Sequence, residues 1–140
     1  MGTNHMGRQS IRFPQPPVVR GFASVAGKKE REGPLGDQFT ATVQDTTFGE
    51  KSWERAERRM QQMTLELALE KAGLTDADLD AAFAGDLLNQ CIGSSFSLRN
   101  RGVPTLGLYG ACSTMAESLL LAAMSVSGGF ARTALAMTSS

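Results

Sequence analysis

Residues 102–140 of this 140-residue chain are almost free of charge. After Arg101 the only charged residues are Glu117 and Arg132, in a stretch dominated by Gly, Ala, Leu, Met, Ser and Thr. A folded domain normally covers its core with charged side chains, and a helix that is apolar nearly all round is a buried helix. We therefore expect this third of the chain to be buried on all sides, by more protein than the sequence contains.

The composition argues against several classes of protein. Lysine plus arginine and aspartate plus glutamate both number 14, so no electrostatic footprint points to nucleic acid or to an anionic membrane. No apolar run approaches the roughly 20 residues that cross a bilayer. Cys91 and Cys112 occur without a secretory signal, which predicts reduced thiols, and Cys91 has no partner at metal-binding spacing.

Residues 1–7 resemble a vector-derived leader and are set apart from the fold. The single histidine of the chain, His5, lies within them. Residues 8–140 therefore offer no imidazole for general-base catalysis or for metal ligation.

Apolar residues recur at spacings of three and four from Trp53 to Leu67 and predict an amphipathic helix, with Glu57 among the charged residues of its other face. Ser52 is the expected N-cap and Gly73 the expected C-terminal stop. Residues 8–47 are rich in proline and glycine and predict extended loops with one edge strand at Val18-Val19. Residues 75–78 resemble a capping box.

Short apolar runs predict buried strands at residues 81–85, 105–109 and 133–137. Helices are expected at residues 94–99 and 115–127, between the strands. This alternation of helix and strand predicts right-handed crossovers, a parallel sheet and the α/β fold class.

Polar side chains follow two of these strands. Asp86 and Asn89 come after the first, while Cys112 and Ser113 lie between the second strand and the next helix. Ligands of open α/β sheets gather at the carboxyl ends of the strands, and a cysteine at a helix N-terminus suits a nucleophile or an anion cradle. A small buried cysteine that only packs, and polar residues that only cap a turn, fit the same pattern.

Five ordered segments are similar to the stage V sporulation protein AD family. They are residues 32–36 (EGPLG), 53–58 (WERAER), 84–90 (AGDLLNQ), 107–114 (GLYGACST) and 136–140 (AMTSS). The Ala-Cys-Ser element alone would indicate only a thiolase or a ketoacyl synthase. The order and spread of all five make the resemblance specific.

The resemblance implies a thiolase-like α/β fold, in which two similar halves, each with a mixed five-stranded sheet, pack around a central layer of buried helices. Residues 8–140 would be the N-terminal half. The C-terminal half is absent, and with it the histidine that faces the cysteine in enzymes of this superfamily. Cys112 matches the position of the thiolase nucleophile, at the start of a central helix.

The resemblance also implies function. Members of the family are regarded as non-catalytic proteins, without a cofactor, that bind dipicolinic acid alone or with calcium. They support its uptake into the developing spore alongside membrane proteins of the same sporulation channel. The expected location is the forespore or spore, soluble or peripheral at the inner membrane, and the full-length protein is expected to be a homodimer.

The resemblance places Cys112 and Asp86 in the ligand pocket, and proximity adds Asn89 and Ser113 as hydrogen-bond donors. Asp86 would repel a bare dianion, so it either fixes its loop or meets the ligand through calcium or water. The alternative is an acyltransferase of the thiolase or ketoacyl synthase type that uses Cys112 as its nucleophile.

Overall fold

The computed structural model of the chain describes residues 4–88 and 90–139. In chain order the strands are β1 (His5–Met6), β2 (Ser10–Ile11), β3 (Val25–Ala26), β4 (Ala41–Thr42), β5 (Ala81–Gly85), β6 (Thr105–Leu108) and β7 (Ala134–Thr138). The helices are α1 (Lys28–Arg31), α2 (Trp53–Ala72), α3 (Ile92–Leu98) and α4 (Thr114–Ser127). From α2 onward helices and strands alternate, which confirms the predicted α/β class.

The central sheet has the strand order β6-β5-β7, and both strand pairs are parallel, as predicted. Ala84 of β5 lies opposite Gly107 on one side and Met137 on the other. The remaining strands form two separate pairs, β1 with β2 antiparallel and β3 with β4 parallel. The described residues therefore build a three-stranded parallel sheet, not the mixed five-stranded sheet that the family resemblance implies.

The strand predicted at Val18-Val19 is wrong. Both side chains are exposed, and neither residue lies in a strand. The strand of this region is β3, which pairs with β4. Next to this pair, the Ser24 N–H donates to the Thr40 hydroxyl at 3.2 Å, and the Thr40 N–H donates to the Ser24 hydroxyl at 3.3 Å. A β-branched pair alone does not make a strand without a neighbour to complete its hydrogen bonds.

Helix α2 begins and ends where the sequence predicts. The Ser52 hydroxyl accepts a hydrogen bond from the Arg55 N–H at 3.4 Å, and Gly73 ends the helix in the left-handed conformation at φ 66°. The capping box at residues 75–78 is also confirmed. The predicted buried face is only partly right, because Trp53 is 61% exposed and Glu57, assigned to the solvated face, is 8% exposed.

Helix α4 packs against β5 and β7 and is covered on one face only within this chain. Its buried residues are Thr114, Ser118 and Ala122. The apolar side chains of its outer face are exposed: Met115, Leu119, Leu120 and Met124. Among the described residues no helix is both long enough and apolar enough to cross a membrane.

Candidate functional site at the carboxyl edge of the sheet

The carboxyl ends of the three parallel strands lie side by side, and the segments that follow them meet there. Asp86 follows β5, the turn at residues 109–113 follows β6, and Ser139 follows β7. We call these segments, together with residues 87–88 and 90–94, the carboxyl edge. The predicted site residues Asp86, Cys112 and Ser113 all belong to it, whereas Asn89 lies outside the described residues.

The side chain of Asp86 is fully buried and organises the loop between β5 and α3. Its Oδ1 accepts a hydrogen bond from the Cys91 N–H at 3.1 Å. Its Oδ2 accepts from both the N–H and the hydroxyl of Ser94, at 2.9 and 2.8 Å. Of the roles considered for Asp86, these contacts are those of a group that fixes its loop.

The turn after β6 holds Cys112 at the surface. Ala111 adopts φ 49°, a left-handed conformation that is strained for a residue other than glycine and that recurs at functional sites. The hydroxyl of Thr114 accepts from the Gly110 N–H at 3.1 Å and donates to the Ala111 carbonyl at 2.8 Å, and Ser113 Oγ donates to the Gly110 carbonyl at 2.6 Å. These bonds fix the turn and leave Cys112 and Ser113 exposed.

The N-terminus of α4 opens at this turn without a side-chain cap. The N–H groups of Ser113 and Thr114 already donate to the carbonyls of Gly110 and Ala111, so the attraction of this end for anions rests on the helix dipole and on the first-turn N–H groups that follow. Glu117 of the first turn competes for that position, because its Oε2 lies 2.5 Å from where a Cβ of Gly110 would be. An anionic ligand at this end must therefore share it with a carboxylate.

Cys91 links the Asp86 loop to β6. Its thiol donates to the Leu108 carbonyl at 3.1 Å, across the edge of the sheet. Burial raises the pKa of the Cys91 thiol, and the charge of Asp86 raises it further. These features describe a structural thiol.

Sequence reasoning missed a buried polar network behind the carboxyl edge. Ser139 Oγ donates to Glu57 Oε1 and accepts from Gln61 Nε2, both at 2.7 Å. Ser97 Oγ lies 2.7 Å from Gln61 Oε1, to which it donates. The network ties α2 to α3 and to the end of β7.

A signal for this network was present in the sequence. Glu57, Gln61 and Leu65 are spaced by four and share one face of α2, and all three are buried. Ser94 and Ser97 are spaced by three on α3 and are buried against it. Small hydroxyl residues on one helix opposite polar residues on another favour a hydrogen-bonded helix interface over an apolar one.

Glu57 is the titratable member of the network, and its pKa is shifted. Burial raises the pKa of its carboxyl group, and the nearby charges of Asp86 and Glu54 act in the same direction. The hydrogen bond from Ser139 and the backbone of Leu88 lower the pKa, but they do not reverse the shift.

The part of the chain that the structure describes shows no preformed site for a bound metal ion. No group of three or more His, Cys, Asp or Glu side chains there is arranged to hold an ion.

Comparison with known proteins gives two matches. The family model for stage V sporulation protein AD matches residues 7–140. A relative, stage V sporulation protein AD of Bacillus subtilis (strain 168), is 42% identical over 134 residues, which cover 96% of this chain and 40% of the relative. The chain thus spans about two fifths of the length of that relative.

Proposed function

The chain belongs to the stage V sporulation protein AD family, and from this premise we propose that it supplies one wall of a binding site for dipicolinic acid at the carboxyl edge. The full-length protein would bind the ligand alone or with calcium and support its uptake into the developing spore. The observation that carries this assignment is the exposure of Cys112 and Ser113 in the turn that leads into α4, where no side chain caps the helix.

The ligand chemistry suits this helix end. Dipicolinic acid carries two carboxylates on a pyridine ring, and each can accept hydrogen bonds from backbone N–H groups or from Ser113. One helix N-terminus contributes about 0.3–1 kcal/mol per anionic group at an exposed site and up to about 2 kcal/mol when partly buried. Tight binding would therefore need further donors from the part of the protein beyond this chain.

A calcium ion would offset the repulsion between the ligand carboxylates and the acidic side chain at this helix end. Glu117 lies at the same helix end and repels a bare dianion. A calcium ion takes six to eight oxygen ligands, so it can join the ligand carboxylates to Glu117. With Asp86 engaged in its own loop, we assign the direct acidic contact to Glu117 and a supporting role to Asp86.

The thiolase-like architecture belongs to the same proposal. A second half would cover the apolar outer face of α4, which the described residues leave exposed. In this proposal the full-length protein forms a homodimer and contacts membrane proteins of the sporulation channel. It lies in the forespore or at the spore inner membrane.

Titration calorimetry of the full-length protein with dipicolinic acid, with and without calcium, tests the function. Without calcium, Ser113→Glu should reduce ligand heat because it places a negative charge at the helix end. Thr105→Glu is the matched control, since Thr105 is exposed at the opposite end of β6 and its variant should bind normally. Absence of ligand heat in the unmodified protein would refute the function, and normal binding by Ser113→Glu would refute the site.

One observation favours a second function: Cys112 is exposed and follows a strained residue at the start of a helix. An acyltransferase would use this thiol as its nucleophile. Incubation of the full-length protein with acyl-coenzyme A followed by mass spectrometry is the test. An acyl adduct that turns over and that disappears in Cys112→Ala would replace the binding proposal with the enzyme.

A further inference from the structure

Glu57 has an unusual place for an acidic residue. It is 8% exposed, and its Oε1 accepts the hydrogen bond from Ser139. Its Oε2 is buried and makes no hydrogen bond within residues 4–88 and 90–139. An ionised oxygen in this position would lose its hydration, and the nearby backbone of Leu88 compensates only in part, because burial remains the largest influence on the pKa of Glu57.

A second carboxyl group lies close to it. A Cβ built on Gly93 would be 2.9 Å from Glu57 Oε2 and 3.4 Å from Asp86 Oδ2, so both groups pack against the same glycine. Asp86 accepts hydrogen bonds from the two N–H groups and the hydroxyl described above, as an ionised carboxylate does. Two neighbouring carboxylates with little access to water do not both ionise readily.

We propose that Glu57 carries a proton in the folded protein, and that loss of this proton loosens the packing of Gly93 and the rest of α3 against α2. The carboxyl edge thereby contains a pH-sensitive element. The inference rests on the buried carboxyl groups of Glu57 and Asp86, and it holds whether or not dipicolinic acid is the ligand.

The groups around Glu57 support this inference from each neighbouring element. From α2, Glu54 adds negative charge, and from the loop after β5, Asp86 does the same. Cys91 also faces Asp86, and its raised pKa keeps it neutral at neutral pH. Helix α3 and the end of β7 contribute the hydroxyls of Ser97 and Ser139, which do not titrate.

The sign of the pH dependence follows from the raised pKa. Below the ordinary value of 4.5 the folded and unfolded states are both protonated at Glu57, and its stabilising contribution is complete. As the pH rises from there through the raised pKa of the folded state, that contribution is lost. Because the pKa is higher in the closed form than in the open form, the ratio of the two forms shifts toward the open form as the pH rises.

Hydrogen exchange followed by mass spectrometry on the full-length protein tests the proposal at about pH 4.5, the ordinary pKa of a glutamate and the lower end of the window, and at about pH 8. After correction for the intrinsic pH dependence of exchange, peptides covering residues 86–98 should open more often at the higher pH. Glu57→Gln, which stays neutral, should remove this rise. Glu70→Gln, exposed on the same helix, should behave as the wild type. A rise of equal size in Glu57→Gln, or none in the wild type, would overturn the proposal.

If Glu57→Gln does not fold, infrared spectroscopy of the wild type tests the proton on Glu57 directly. The infrared C=O band of a protonated carboxyl group should persist in the wild type above the ordinary value of 4.5, at pH values where exposed acids are ionised. In Ser139→Ala, which removes a hydrogen bond that favours the charged form, the band should persist to higher pH. A wild-type spectrum without the band would refute the proton on Glu57.

Discussion

Asp86 shows how a residue assigned to a ligand pocket can also be an organiser of structure. Donors from Cys91 and Ser94, in the loop and first turn that follow, hydrogen-bond to it, so the carboxylate connects the end of β5 to the start of α3. Gly93, within that turn, gives the two buried carboxyl groups the space they need. The geometry of the carboxyl edge therefore depends on residues that no ligand has to touch.

Asp86→Ala should destabilise the full-length protein by about 2–4 kcal/mol, because it leaves the buried donors of Cys91 and Ser94 without an acceptor. Denaturant unfolding measures this change. Asp37→Ala, at an exposed position, should stay within about 0.5 kcal/mol of the wild type. A loss as small as that of the control would show that the loop does not rely on Asp86.

Gly93→Ala tests the close approach of the two carboxyl groups. A glycine inside a helix is usually less stable than alanine by about 0.5–1 kcal/mol. Here the added methyl group would meet Glu57 Oε2 at 2.9 Å, so we expect destabilisation of about 1–3 kcal/mol. Ser95→Ala, exposed on the same helix, should be neutral or slightly stabilising. A Gly93→Ala protein more stable than the wild type would contradict the packing described for Glu57.

At the level of single residues the sequence predicted where polar groups would gather but not which of them would be buried. Asp86 and Cys112 were found because they follow apolar runs that read clearly as strands. Glu57 was missed because charged neighbours surround it in the sequence and its burial depends on α3, a contact between segments about 35 residues apart. Periodicity identifies the apolar face of a helix, whereas a buried polar face needs knowledge of its partner.

Among the elements, prediction succeeded where local signals agree. The caps at Ser52 and Gly73, the capping box at residues 75–78 and the three parallel strands are all confirmed. Prediction failed before residue 47, where short strands are decided by pairing between distant segments and not by their own composition. The apolar helix was predicted, but the cover expected for it lies outside the described residues.

The outer face of α4 offers a test at this scale. Leu119 is 47% exposed in this chain, and we expect it to be buried in the full-length protein by the second half or by a partner subunit. Leu119→Lys should then destabilise the full-length protein by about 2–4 kcal/mol, since it would place a charge in an apolar interface. Glu70→Lys, exposed on α2, is the control. An effect of Leu119→Lys within about 0.5 kcal/mol would mean that the face stays in water.

For the molecule as a whole, the chain has an α/β framework with a hydrogen-bonded carboxyl edge and an exposed apolar flank. A cavity of about 420 Å³ lies along that flank, between residues 17–23, α2, α4 and β7, and its lining is predominantly apolar. The network of Glu57, Gln61 and Ser139 ties the helical layer to the carboxyl edge from the other side. We infer that the edge carries recognition and that the open flank carries assembly.

A crystal structure of the full-length protein with dipicolinic acid and calcium tests the central claim most directly. We expect a ligand carboxylate within hydrogen-bond distance of the α4 N-terminus or of Ser113, with calcium between the ligand and Glu117. Asp86 should remain bonded to Cys91 and Ser94, as in the present structure. A ligand bound elsewhere, with the turn at residues 109–113 in contact only with solvent or protein, would contradict the assignment of the carboxyl edge as the binding site.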